Sequence, residues 1–115
     1  MARKKKQSRK YIPKNEFRYN NSTNHPNYIF EEFDNKYHSV GITHKSKTFG
    51  KNNMPLLNNP DSRKINLAYI RNGVITDKKK NYSKKPIKNM SFSAIDFPKV
   101  KSKIRNFKKR QNKNK

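Results

Sequence analysis

The sequence predicts a small α+β protein: a curled antiparallel sheet or SH3-like barrel with one C-terminal helix, set between disordered basic tails. Three observations predict it. Two strand-like runs flank a turn between Tyr28 and His44, the turn dipeptide Asn72-Gly73 separates two further apolar runs, and an apolar stripe at helical spacing follows Asp96. With 115 residues, of which 30% are hydrophobic, the chain has apolar surface for one domain with a modest core. It divides into a disordered basic arm over 1–24, a small α+β domain over 25–107 and a basic tail over 108–115.

Residues 1–24 show no period of 2 or 3.6 and mix cations with Asn, Ser and Thr, the composition of a solvated arm. His25-Pro26 opens the ordered part, because proline fixes φ and holds the preceding residue extended. Tyr28-Ile29-Phe30 is aromatic and β-branched, Asp34-Asn35-Lys36 bends the backbone, and a second run resumes from Tyr37 to His44. Along that run His38, Val40, Ile42 and His44 share one face, and Tyr37, Ser39, Gly41 and Thr43 the other. Gly41 inside a strand marks a bulge or a close backbone approach.

Lys45 to Asn53 reads as a loop. Met54 to Leu57 is a third strand, which Pro55 confines to an edge or a strand start. Beyond the turn formers Asn58 to Ser62, Ile65 to Arg71 is a fourth strand, Asn72-Gly73 a type I′ turn and Val74-Ile75-Thr76 a fifth strand. Asp77 to Lys88 is a basic loop, and Ser91-Phe92 adds a last short strand. Ser93 to Asp96 has capping-box form, and Pro98 suits the first turn of a helix beginning at Ala94 or Asp96. Phe97, Val100, Ile104 and Phe107 then make one narrow apolar stripe surrounded by Lys and Arg.

Composition excludes several classes of function. There is no cysteine and hence no disulfide; three histidines and seven scattered carboxylates argue against a metal site, and no cofactor motif is present. No apolar run approaches the roughly 20 residues of a membrane span, and no secretory apolar stretch follows the basic start, so the expected location is cytoplasmic. Lysine and asparagine make up 40 residues, the signature of an AT-rich genome, which accounts for part of the lysine excess.

Codon bias does not explain how the charge is arranged. Residues 1–18 carry eight Lys/Arg against Glu16, net +7; residues 25–77 carry seven against five acids, net +2; residues 78–115 carry fifteen against Asp96, net +14. Two strongly basic ends on a nearly neutral centre predict a polyanionic partner, nucleic acid, with RNA favoured over DNA. No broad amphipathic face or lipidation signal points to a membrane. The candidate phosphate contacts are Arg3, Lys4, Lys5, Lys6, Arg9 and Lys10 in the arm, and Lys78, Lys79, Lys80, Lys84 and Lys85 in the basic loop. Lys101, Arg105, Lys108, Lys109 and Arg110 extend them along and beyond the helix. Tyr28, Phe30, Tyr37 and Tyr69 are of the type that stacks bases, although a core this small needs most of them. A basic factor that binds or inhibits a ribonucleoprotein or a nuclease fits the same charge.

For catalysis the sequence offers no glycine-rich phosphate loop, no His-Glu-x-x-His and no Gly-x-Ser-x-Gly. One constellation remains, Thr43-His44-Lys45-Ser46-Lys47. Metal-free RNA cleavage needs a base for the 2′-hydroxyl, positive charge on the phosphorane and an acid for the leaving oxygen, and these residue types supply them. A strand, a short turn and a strand ending in Thr and Lys resemble the front of the barrel in endoribonuclease toxins of PemK-like fold, above all those of type III toxin–antitoxin systems. In that family a strand ending Leu-Thr-Ser is followed by a lysine, and these residues help form the active site. Thr43 matches the threonine, His44 stands in place of the serine, and Lys45 or Lys47 takes the place of the lysine. The resemblance spans 28–71 and implies a metal-independent endoribonuclease with a protein or RNA antitoxin as partner; the long helical insertions of those toxins have no counterpart here. His25-Pro-Asn-Tyr-Ile-Phe, Gly41-Ile-Thr-His and Asn58-Asn-Pro-Asp also resemble stretches in small uncharacterised proteins of bacterial mobile elements.

Overall fold

In a computed structural model, which describes residues 11–113, the chain forms a five-stranded antiparallel sheet and one C-terminal helix. The strands are β1 (Ile12–Asn20), β2 (His25–Phe33), β3 (Lys36–Thr43), the short β4 (Lys47–Thr48), β5 (Lys51–Asn52) and β6 (Met54–Pro55), and β7 (Tyr69–Lys78); the helix α1 covers Asp96–Lys113. The sheet order is β1-β2-β3-β7-β6, open with β1 and β6 at its edges, while β4 and β5 pair separately. By their contacts the residues gather into two units, one reaching Ile42 and including Gly73–Lys88, the other of Thr43–Asn72 and the chain from Asn89 on.

In the first unit the hairpin forms where apolar runs and turn residues place it, with Asp34 taking the positive φ of 61° between β2 and β3. Tyr28, Ile29 and Phe30 are consecutive and all buried, so this part of β2 has no solvated face. The bulge lies at Phe30, between the pairs Ile29↔Ser39 and Glu31↔His38. It does not lie at Gly41, which pairs in register with Asn27. Ile29, Tyr37 and Tyr82 form a buried cluster; the Tyr37 and Tyr82 rings meet edge-on at 5.2 Å, and the Tyr82 hydroxyl shares a 2.9 Å hydrogen bond with Ser39 Oγ.

The expectation of a disordered arm over 1–24 is corrected from residue 12 onward, since Ile12–Asn20 is strand β1, paired antiparallel with β2. Residues 1–10, and with them Arg3, Lys4, Lys5, Lys6, Arg9 and Lys10, lie outside the described residues. Besides this pairing with its neighbour β2, a segment distant in sequence holds β1: Ile87 N–H donates to Phe17 O at 2.7 Å, Ser83 N–H to Tyr19 O at 2.8 Å and Asn21 N–H to Asn81 O at 2.8 Å. Only Phe17 and Asn20 of β1 are fully buried, which is why no alternation is visible. The Asn/Ser/Thr stretch is a turn. Asn20 Oδ1 accepts from the N–H groups of Ser22 and Thr23, and Asn24 has a φ of 61°.

In the second unit Met54 and Pro55 pair with Ile70 and Tyr69, so the third strand is an edge strand but shorter than its apolar run. The predicted fourth and fifth strands and their Asn72-Gly73 turn are replaced by one strand, β7, that includes both Asn72 and Gly73. Positive φ among the glycines belongs instead to Gly50, at 76°. Asn72 is unavailable for a turn because its own N–H donates to Asn53 Oδ1 and its amide to two carbonyls. Ile65 and Leu67, expected on a strand, are 99% and 70% exposed in the loop before β7. Ser91-Phe92 adds no strand; Met90 makes a single bridge to Asp61.

The helix begins at Asp96 with Pro98 in its first turn. Asp96 N–H donates to Ser93 Oγ at 3.1 Å, but the carboxylate does not close a reciprocal box; it accepts from the N–H groups of Leu57 at 2.8 Å and Asn58 at 2.9 Å. Val100 is buried and Phe97, Ile104 and Phe107 are half-buried, the stripe the spacing predicts. Residues 108–113, assigned to a tail, continue the helix. Among the described residues no helix is long and apolar enough to cross a membrane.

Candidate functional site

The Thr43-to-Lys47 constellation lies in the second unit, where β3 ends and β4 begins. Thr43 closes the strand with its side chain buried, 5% exposed, and its Oγ1 accepts from Lys45 N–H at 3.2 Å. His44, Lys45 and Lys47 are exposed. His44 Nδ1 donates to the Leu67 carbonyl at 3.1 Å, so in the neutral ring Nε2 carries the lone pair. The structure thus turns His44, Lys45, Ser46 and Lys47 to solvent and takes the hydroxyl of Thr43 away from it.

What holds this stretch is a pair of asparagines that the sequence offers no reason to single out. Asn53, 5% exposed, donates from Nδ2 to Lys45 O at 2.9 Å and to Thr48 Oγ1 at 2.8 Å, and its backbone N–H reaches Ser46 O at 2.8 Å. Asn53 Oδ1 accepts from Asn72 N–H at 2.9 Å, and Asn72 Nδ2 spans the carbonyls of Thr48 at 3.1 Å and Lys51 at 3.2 Å. Residues 45–53, which read as a loop, are a clamped hairpin of β4 and β5 in the register Lys47↔Asn52 and Thr48↔Lys51.

The cations of the basic loop lie in the first unit and are not equivalent. Lys79 is half-buried, its ammonium 2.8 Å from Glu32 Oε2 and 5.5 Å from the centre of the Tyr37 ring. Its hydrogen bond, aided by Lys14 and set against partial burial, holds the Glu32 carboxyl below the usual carboxylate range. Lys78, Lys80, Lys84 and Lys85 are exposed. Arg18 fixes the backbone that carries the last two, donating from one nitrogen to Ser83 O at 2.8 Å and Lys84 O at 2.9 Å.

On α1, Lys101, Arg105, Lys108, Lys109 and Arg110 are all exposed, and the helix's acid, Asp96, is fully buried. Lys103 differs from them: burial, with a contribution from Arg110, lowers its pKa. Positive charge toward the C-terminal end also suits the helix dipole, so part of this pattern serves the helix itself. Among the described residues no group of three or more His, Asp or Glu is placed to hold a metal ion.

Comparison with protein-family models, with curated proteins and with solved structures gives no match. The likeness to PemK-like toxins therefore rests on the few residues quoted for it.

Proposed function

We propose that the protein binds single-stranded nucleic acid, RNA in preference to DNA, chiefly through phosphate contacts of its exposed cations. One observation carries this reading: along α1 the exposed cations Lys99, Lys101, Arg105, Lys108, Lys109 and Arg110 stand against a single carboxylate, Asp96, which is buried and satisfied by backbone N–H groups and Lys99. Such a surface attracts a polyanion, and the formal net charge of +23 acts in the same direction at longer range. Lys78, Lys80, Lys84 and Lys85 add a second exposed set, whereas Lys79 is committed to Glu32. Cleavage draws less support, because the buried Thr43 hydroxyl is out of a substrate's reach.

The test is the salt dependence of binding to labelled oligouridylate and its thymidylate counterpart. Each phosphate contact on a single strand contributes about 0.7 to the slope of log affinity against log salt. Replacing Lys101, Arg105, Lys108 and Lys109 by Gln should flatten the slope by about 3. A slope unchanged by the four substitutions would refute the helix as the binding surface, and equal affinity for the two strands would refute the preference for RNA.

A further inference from the structure

The tip of the β4–β5 hairpin is built in a way that its own stability does not explain. With Thr48 paired to Lys51, the turn consists of Phe49 and Gly50, whose φ angles are 53° and 76°. Positive φ at both central residues is the geometry of a type I′ turn, which asparagine or glycine satisfies and a phenylalanine does not. The Phe49 ring gains nothing from the fold in return, being 92% exposed. Strain at the backbone and an unburied aromatic thus coincide at one residue.

The hairpin is nevertheless held firmly, each strand being only two residues long. The Asn72 amide grips the carbonyls of Thr48 and Lys51, the residues on either side of the tip, and Asn53 grips Lys45 and Thr48. Lys45, Lys47 and Lys51 are exposed around it and no carboxylate lies between 43 and 60. An aromatic ring presented on a fixed support among lysines has the chemistry of a base-stacking platform: the ring takes the π-face of an unpaired base and the ammonium groups take the adjoining phosphates.

We infer that Phe49 is a stacking finger that receives one unpaired base of a bound single strand. This rests on the nucleic-acid reading above and adds to it the point at which a base, rather than a phosphate, is contacted. The finger is sequence-tolerant, since every base has a face to stack.

Because the chain contains no tryptophan, Phe49→Trp supplies a single indole at the tip, excited selectively over the tyrosines at the red edge of its absorption. The full-length variant is titrated with an oligouridylate and with an abasic strand of equal length, while anisotropy of a label on each strand reports binding independently. Quenching of the tryptophan by the first strand and not by the bound second one is the result expected. Binding seen by anisotropy without quenching overturns the finger and leaves the electrostatic reading standing. No binding of either strand overturns both. A second variant, Phe49→Asn, keeps a residue suited to positive φ and removes the ring. It should weaken oligouridylate binding about 5- to 150-fold with the salt slope unchanged. Unchanged affinity would show that the ring's partner is not a base, and would redirect the finger to an apolar pocket on a protein.

Discussion

The β2–β3 hairpin and the β4–β5 hairpin follow one another along the chain and are held by different physics. In the first, Tyr28, Ile29, Phe30, Tyr37, Val40 and Ile42 are buried, and the turn at Asp34-Asn35 only has to close it. In the second, Phe49 is exposed, and the support comes from the side-chain amides of Asn53 and Asn72. A chain poor in apolar residues and rich in asparagine thus uses burial for the sheet centre and amide hydrogen bonds for its shorter elements. The two differ in strength: burying an aliphatic side chain contributes about 1.5–3 kcal/mol, an ordinary hydrogen bond about 0.5–1.5 kcal/mol net. Several such bonds converging on one short hairpin still fix its tip, which lowers the ordering cost of binding there.

The largest effect separates the two regions directly. Ile29→Ala removes a fully buried side chain from the cluster with Tyr37 and Tyr82 and should cost about 2–5 kcal/mol, a large share of the stability of a small domain. Urea unfolding monitored by circular dichroism reads it. A loss below about 0.5 kcal/mol would deny the hairpin its role as the apolar centre.

Acid sharpens the contrast within the second unit. Burial alone would raise the Asp96 pKa, but the N–H groups of Leu57 and Asn58, with Lys99 and Ser93, outweigh it and hold the carboxyl below its ordinary value. A depressed folded-state pKa means stability that is present above the unfolded value, near pH 3.9, and lost as pH falls through the folded value. Asp96→Asn should cost about 1.5–3 kcal/mol at neutral pH and flatten this part of the acid unfolding profile. Parallel profiles for wild type and variant below about pH 4 would contradict it.

The same division explains what was legible in the sequence. Burial writes itself into composition, so the hairpin from Tyr28, the edge character of Pro55, the helix start at Asp96 and the stripe from Phe97 to Phe107 could all be read. Side-chain hydrogen bonds leave no period. Nothing near Asn72 in sequence indicates that its amide is spent on Thr48 and Lys51, so Asn72-Gly73 looked like a turn and the actual two-residue turn, Phe49-Gly50, did not. Strand β1 escaped for a related reason: Lys14, Glu16 and Arg18 are half-buried and engaged in ion pairs, and its backbone partners beyond β2, Ser83 and Ile87, lie more than 60 residues along the chain. Of the candidate site, the exposed cations of α1 were legible from charge and period together. The commitment of Lys79 to Glu32 and the burial of Thr43 were not, because both depend on neighbours in space.

The central claim is that amide clamps hold the β4–β5 hairpin in the form that binds, and Asn72→Ala tests it most directly because Asn72 is remote in sequence from Phe49 and from the lysines beside it. The measurement is the affinity of the full-length protein for oligouridylate across a range of salt, with the thermal midpoint recorded alongside. Losing a hydrogen bond or two and having to order the tip on binding should weaken affinity by about 2- to 10-fold. The result the account predicts is two parallel lines of log affinity against log salt, the variant's displaced to weaker binding, with a thermal midpoint lowered by only a few degrees. Superimposed lines would show that the clamp has no part in binding, and a changed slope would show that Asn72 acts through the phosphate contacts instead.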